Sequence, residues 1–268
     1  MRDAMRERLR ELRYEPIEKR LRAQLDGEAV IDTTHALLVW EPRRVVPSFA
    51  VPTGDVRGEL VPAAGGEESD SDILHPGIAF AAHSSPGEAF DVRVSGRTLP
   101  EAAFAPDDDA FDGYVIVDFA AFDGWLEEDE PLFGHPRDPF HRIDIRRSSR
   151  HVVIERDGRV LAETTRPTML FETSLPARFY IPREDVRVEM TPSDRRTICA
   201  YKGEASYFAI DGLDLVWVYD DPLFEAAPIK GLVAFFDELV DVTVDGRKRA
   251  RPLTKFSKAI VEESGVSR

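Results

Sequence analysis

The sequence predicts a mainly β protein: two tandem copies of one strand-rich domain behind a short N-terminal helix. Three observations predict it. The chain repeats itself internally, its β-branched and aromatic runs are short and bounded by turn residues, and helical periodicity stops at residue 13. The copies are expected at 14–145 and 146–250, with the helix at 1–13 and a tail at 251–268.

In the helix, Met5, Leu9 and Leu12 recur at helical spacing among Arg2, Arg6, Arg8, Arg10 and Arg13. Asp3, Glu7 and Glu11 dilute the positive face, which favours packing on the first domain over anchoring at a membrane.

The repeat is clearest where Asp26-Gly27 matches Asp157-Gly158, an offset of 131. At that offset Thr33-Thr34 falls on Thr164-Thr165 and Glu41 on Glu172. After a slip of one residue, Phe49, Pro52, Asp55, Val56, Arg57 and Glu59 fall on Phe179, Pro182, Asp185, Val186, Arg187 and Glu189. These are 11 identities in the 28 positions 26–41 and 49–60, where average residue usage gives about two. Gly87-Glu88-Ala89 then matches Gly203-Glu204-Ala205, and Pro131-Leu132-Phe133 matches Pro222-Leu223-Phe224. The offset falls from 130 to 116 and then to 91, which places extra residues in the first copy on either side of Gly87. Ala63 to Asp72 and Pro106 to Asp109 read as the solvated acidic loops that hold them.

The repeat also decides local structure. Lys19–Gln24 has helix-forming residues but aligns with the β-branched run Arg150–Glu155, so it is read as a strand. Asp26-Gly27 and Asp157-Gly158 then become two-residue hairpin turns, where glycine supplies the positive φ. Strands are expected at Val152–Glu155, Arg159–Thr164, Met169–Glu172, Ala205–Ile210, Leu213–Tyr219, Ala234–Phe236 and Val240–Val244.

Composition removes several functions. The net charge of −15, from 50 acidic and 35 basic residues, opposes binding to phosphate backbones, so no nucleic-acid partner is expected. A local basic patch at Arg146, Arg147 and Arg150 sits between acidic stretches. Cys199 is the single cysteine, which forbids an intramolecular disulfide and fits a reducing, cytoplasmic setting. The N-terminus lacks the apolar core of a signal peptide and no stretch is long and apolar enough to span a bilayer, so a soluble protein without a membrane partner is expected. No Ser-His-Asp order, glycine-rich phosphate loop or dinucleotide fingerprint is present, and no cofactor is expected. The oligomeric state is left open.

The second copy carries an ordered series of blocks. They are Glu163-Thr164-Thr165-Arg166-Pro167, Phe171-Glu172-Thr173, Phe179 through Val186, Thr197 through Tyr207, Trp217-Val218-Tyr219, and Gly231 through Phe236. This series resembles the bacterial family catalogued as domain of unknown function 427, and the first copy resembles the diverged half of its tandem members. The resemblance implies two tandem β-tent-like domains, similar in outline to methionine sulfoxide reductase B and to the ligand-binding domain of cereblon-type proteins. Many such relatives hold zinc with two Cys-x-x-Cys pairs. A chain with one cysteine cannot, and no metal is expected. The family also bears a nucleotidyltransferase label. That activity needs a Gly-Ser pair followed by metal-binding aspartates, and Asp70 and Asp72 lack the Gly-Ser.

Three readings of function follow, led by a small-molecule-binding module in the second copy. Tyr180, Tyr201, Trp217 and Tyr219 would give an apolar wall with polar tips, and Arg183, Asp185 and Lys202 the oriented polar groups. The competing account is an aromatic core with an Arg183–Asp185 surface pair. An enzyme is the second reading. It would use Cys199 as nucleophile, with Lys202, Arg195 and Arg196 favouring the thiolate, or else the histidines of an inter-repeat cleft. That cleft would be lined by His135, Arg137, Asp138, His141 and Arg142, which also read as a solvated connector stiffened by prolines. Against the nucleophile, an extended Cys199–Lys202 would send Lys202 to the opposite face, and the offset of 116 sets His83 where the second copy has Cys199. The third reading is an acidic module that binds a basic protein.

Overall fold

The computed structural model of the chain describes residues 8–65 and 73–252. The chain divides between Asp138 and Pro139 into two compact units. The expected helix at 1–13 lies mostly outside the described residues, and Arg13 already belongs to a strand.

The first unit holds β1 (Arg13–Pro16), β2 (Leu21–Leu25), β3 (Glu28–Thr33), β4 (Leu37–Trp40), β5 (Ser48–Pro52), β6 (Glu59–Pro62), β7 (Gly87–Val94), β8 (Arg97–Pro106), β9 (Tyr114–Val117), β10 (Gly124–Glu127) and β11 (Glu130–Pro131). The second holds β12 (Ile143–Arg147), β13 (Val152–Arg156), β14 (Arg159–Thr164), β15 (Thr168–Glu172), β16 (Arg178–Ile181), β17 (Thr191–Cys199), β18 (Gly203–Ile210), β19 (Leu213–Val218), β20 (Val233–Phe235), β21 (Asp241–Val244) and β22 (Arg247–Lys248). Among the described residues these strands form four antiparallel sheets, two in each unit.

The two units share one strand order. The seven-stranded sheets run β1-β4-β5-β9-β8-β7-β6 and β12-β15-β16-β20-β19-β18-β17. The four-stranded sheets run β11-β10-β2-β3 and β22-β21-β13-β14. In both units the first, fourth and fifth strands open the large sheet, and the second and third form a hairpin in the small one.

Turn chemistry builds those hairpins. Asp26-Gly27 and Asp157-Gly158 both take positive φ at each residue, matching the right-handed strand twist that such loops require. The block from Pro52 to Arg57 recurs at Pro182 to Arg187 for a structural reason. In each unit a strand ends, a 3-10 turn follows (Thr53–Asp55, Arg183–Asp185), and a valine bridges the hairpin strand: Val56 to Ile31, Val186 to Ala162.

Sheet register corrects two of the repeat matches. Ala50 pairs Ile116, Ile116 pairs Phe104, and Phe104 pairs Ala89. The same ladder in the second unit is Tyr180, Ala234, Trp217 and Tyr207. Ala89 is therefore level with Tyr207, two residues beyond the Ala205 that the tripeptide match selects. The offset set by this ladder, 118, counts His83 onto Tyr201 rather than Cys199. The second correction concerns Pro131, which lies in β11, whereas Pro222 lies between β19 and β20. The longer connection there belongs to the second unit, which spends it on the 3-10 segment Phe224–Ile229. A short tripeptide identity carries no ladder information, so both matches were free to slip.

The cores follow the alternation of the strands. In the first unit Leu38, Trp40, Phe49 and Val51 face the small sheet, while Leu37, Val39, Ala50 and Ile116 form a second cluster with Phe104 and Phe111 on the outer face. In the second unit one large cluster joins Val152, Ile154, Leu161 and Val242 of the small sheet to Phe179, Ile181, Val216 and Val218 of the large one. Residues 143–145, expected in the first copy, pair with β15 and fold with the second unit.

Candidate functional site

In the second unit the face of the large sheet turned away from the small sheet is aromatic and polar. Register puts Tyr180, Trp217 and Tyr207 on it together, and alternation adds Arg178, Leu170 and Glu172. Trp217 Nε1 donates to Tyr180 Oη at 3.2 Å, with the two rings edge to face. Phe236 packs against both Trp217 and Tyr207. Arg178 lies over the Trp217 ring at 5.6 Å and grips Glu238 through two hydrogen bonds of 2.9 and 2.6 Å. Tyr207 Oη is 2.8 Å from Thr197 Oγ1. Tyr180, Trp217 and Tyr219 are buried. Burial pushes both tyrosine hydroxyls well above their usual range, since a phenolate there would lose its water.

At the end of this face sits a charged cluster. β17 stops at Cys199, and Ala200, Tyr201 and Lys202 make a turn closed by Lys202 N–H donating to Cys199 O at 3.3 Å. The extended Cys199–Lys202 anticipated from sequence is thus replaced by a turn, which Gly203 completes at φ +92°. The turn swings Lys202 inward, where Nζ donates to Glu172 Oε2 at 2.5 Å. The other carboxylate oxygen, Oε1, lies 3.0 Å from His141 Nε2, and the His141 ring stacks on Tyr201 at 4.3 Å. Burial alone would raise the Glu172 carboxyl, but His141 and Lys202 outweigh it and hold it at about 2. A carboxylate kept ionised between an ammonium and an imidazole fixes the orientation of both. The three side chains are therefore held in one fixed arrangement.

The remaining predicted residues lie elsewhere or play other parts. Arg183 reaches Asp220 and Gly231 O, and stacks over Phe208. Asp185 accepts from Thr164 Oγ1 at 2.6 Å and from Arg166. The expected Arg183–Asp185 pair is not among these contacts. Cys199 is half-buried. Lys202, assigned to its thiolate, is committed to Glu172, and Arg196 donates to the backbone carbonyls of Ser193 and Arg195. His135, Arg137 and Asp138 belong to the first unit, where His135 Nδ1 lies 2.7 Å from Pro136 O. Arg142 belongs to the second, its N–H donating to Thr173 Oγ1 and its guanidinium paired with Asp144. Of these five, His141 contacts Glu172.

The first unit places a buried glutamate at the matching position. Glu41 follows β4 as Glu172 ends β15, and its side chain is 1% exposed. Its partners differ: Arg44 Nε at 3.2 Å, His83 Nδ1 at 3.1 Å and the backbone N–H of Ser84 at 3.0 Å. His83 stacks on Phe104 at 3.7 Å, and its Nε2 is buried without a hydrogen-bond partner. The Glu41–Glu172 identity in the repeat was the signal for both sites, although neither residue was singled out for function. Arg178 and Glu238 left no signal, because their contact spans 60 residues.

Among the described residues no three His, Cys, Asp or Glu side chains converge as a metal cage requires, and no helix is long and apolar enough to cross a membrane. The second unit is thus an all-β domain of two antiparallel sheets with a buried ionic cluster at one end of the larger. Residues 144–246 match the model of the family described as "Domain of unknown function (DUF427)", in agreement with the resemblance carried by the blocks from Glu163 to Phe236. No curated protein matches the chain.

Proposed function

We propose that the chain is a small-molecule-binding protein formed by duplication of one domain, with its ligand site at the Glu172–Lys202–His141–Tyr201 cluster of the second unit. The observation that supports this is the buried, ion-paired Glu172. Taking two charges out of water costs several kcal/mol per ion before their attraction offsets it, and apolar residues of similar volume often pack as well or better. Such a cluster is weakly explained by stability, whereas a polar ligand gains from preorganised charges. Glu41 at the matching place in the first unit supports the duplication, and its different partners fit a divergent second site. Ligand-induced thermal stabilisation against a library of small polar compounds tests the site. A hit that is lost in Lys202→Met and in Tyr201→Leu, and retained in Arg183→Ala, supports the assignment. A hit that survives both cluster variants rejects it.

A further inference from the structure

A cavity lies on the face of the same sheet opposite the Glu172 cluster. Its volume is about 510 Å³, and Met169, Phe171 and Phe179 contribute its apolar wall. Met169 and Phe179 are register partners, while Leu170 and Glu172 alternate to the other side. This cavity is therefore separate from the Glu172 cluster. Its opposite wall is cationic: Arg150, Arg247, Lys248 and Arg249, against the single acid Asp245. In a chain of net charge −15, such a concentration of positive charge calls for a cause.

The first unit differs at this corner. Where the second unit has Phe171, 42% exposed, the first has Trp40, 4% exposed and covered by the Arg13 guanidinium at 5.6 Å. Where β22 and its continuation supply Arg247, Lys248 and Arg249, the corresponding β11 supplies Glu130, Pro131 and Leu132, and Leu132 packs on the core. One strand order thus gives a filled, acid-edged corner in the first unit and an open, cationic one in the second. The cations are unequally committed. Arg150 pairs with Asp245 at 2.8 Å and Lys248 with Asp241 at 2.9 Å. Arg247 is exposed and has no ion-pair partner among the described residues. Arg249 lies over the Phe179 ring at 5.1 Å. Its Nη1 is buried without a hydrogen-bond acceptor and forms a long ion pair, 3.7 Å, with Asp237 Oδ2.

We propose that this cavity binds a small organic anion, with a carboxylate or phosphate head held by Arg247 and Arg249 and a flat apolar body laid on Phe171 and Met169. The volume lies within the range of roughly 300–1,000 Å³ typical of ligand sites, which also combine an apolar wall with a few oriented polar groups. Guanidinium groups suit planar, two-oxygen recognition of either head.

Calorimetric titration of the full chain tests it, with phenyl phosphate, benzoate, inorganic phosphate and benzyl alcohol as probes. At least one aromatic anion is expected to bind tenfold or more tightly than both inorganic phosphate and benzyl alcohol, and which one does so identifies the head. Arg247→Ser, an exposed change, should weaken that binding tenfold or more without moving the melting temperature. Phe171→Ser should remove the advantage over inorganic phosphate. The same titration on the Lys202→Met, Glu172→Gln double variant, which leaves no uncompensated charge, should be unchanged, and this separates the cavity from the Glu172 cluster. Aromatic anions that bind no better than inorganic phosphate, or that bind the Arg247→Ser chain as well as the parent, overturn the proposal.

Discussion

Lys202 Nζ lies 2.5 Å from Glu172 Oε2, and the two side chains are 10% and 8% exposed, so the pair is a buried salt bridge spanning the end of a sheet. Removing one partner of such a pair leaves an uncompensated charge, at a cost of about 3–5 kcal/mol, whereas replacing both can be nearly neutral. Lys202→Met should therefore lower unfolding stability by roughly that amount, with His141 softening the loss. Adding Glu172→Gln to it should restore most of the stability. Urea unfolding of the two variants measures this, and a double variant no more stable than Lys202→Met would deny the pairing its energetic role.

Two carboxyls should give the stability–pH profile opposite slopes. Glu172 is held at about 2 in the fold, against an ordinary glutamate value of 4.5. Its folded value is depressed, so its contribution is present above pH 4.5 and lost as pH falls towards 2. A difference of one pH unit between the folded and unfolded values corresponds to about 1.4 kcal/mol, so the loss approaches about 3 kcal/mol. Asp237 behaves in the other sense. Burial raises it from 3.8 to about 6, against the pull of Arg178 and Arg249. Its contribution is complete below pH 3.8 and lost as pH rises through 6. Glu172→Gln should flatten the profile below pH 4.5, and Asp237→Asn should flatten it between about pH 4 and 6. Unfolding free energies measured from pH 3 to 8 read both.

The Trp217–Tyr180 hydrogen bond should show as coupling. Trp217→Phe leaves the Tyr180 hydroxyl, on a residue 1% exposed, without its donor. An unsatisfied buried group costs about 1–3 kcal/mol. In Tyr180→Phe, Trp217 Nε1 loses its acceptor at similar cost. The double variant loses both ends together, so its destabilisation should fall short of the sum of the singles by about 1 kcal/mol or more. Strict additivity in denaturant unfolding would show that the contact contributes nothing.

What could be read from the sequence was whatever local chemistry or the repeat fixed. Asp26-Gly27 and Asp157-Gly158 announce hairpins because few residue pairs accept two positive φ values, and both hairpins are present. Arg159–Thr164 was legible to the residue because the Asp157-Gly158 turn fixes where the strand begins. β17 was missed because Pro192, Ser193, Asp194, Arg195 and Arg196 have no strand propensity, and pairing with β18 overrides it. The site was legible in part. Lys202, Tyr201 and His141 were all singled out, but for three different roles. What unites them is Glu172, and its contacts with His141 and Lys202 span 31 and 30 residues. No local pattern encodes such a distance. Only the turn after Cys199, set by Gly203, brings them together.

Gly203 and Gly87 open β18 and β7, and each should resist substitution for a different reason. At Gly203 there is room, since the nearest atom to an added Cβ is Leu223 N at 3.4 Å, but φ is +92°. The cost is backbone strain of about 1–2 kcal/mol for alanine, and more for a β-branched residue. At Gly87 an added Cβ would stand 2.2 Å from Ala105 O and 2.5 Å from the Phe104 ring, in a strand paired to β8. The obstacle there is steric, and overpacking of this kind typically costs about 1–3 kcal/mol or more. Urea midpoints should therefore rank differently. Asparagine, which tolerates positive φ, should outperform valine at Gly203 by a clear margin. At Gly87 alanine should be the least damaging replacement, and asparagine should gain nothing from its tolerance. The same ranking at both positions would mean that one of the two strands does not begin as described.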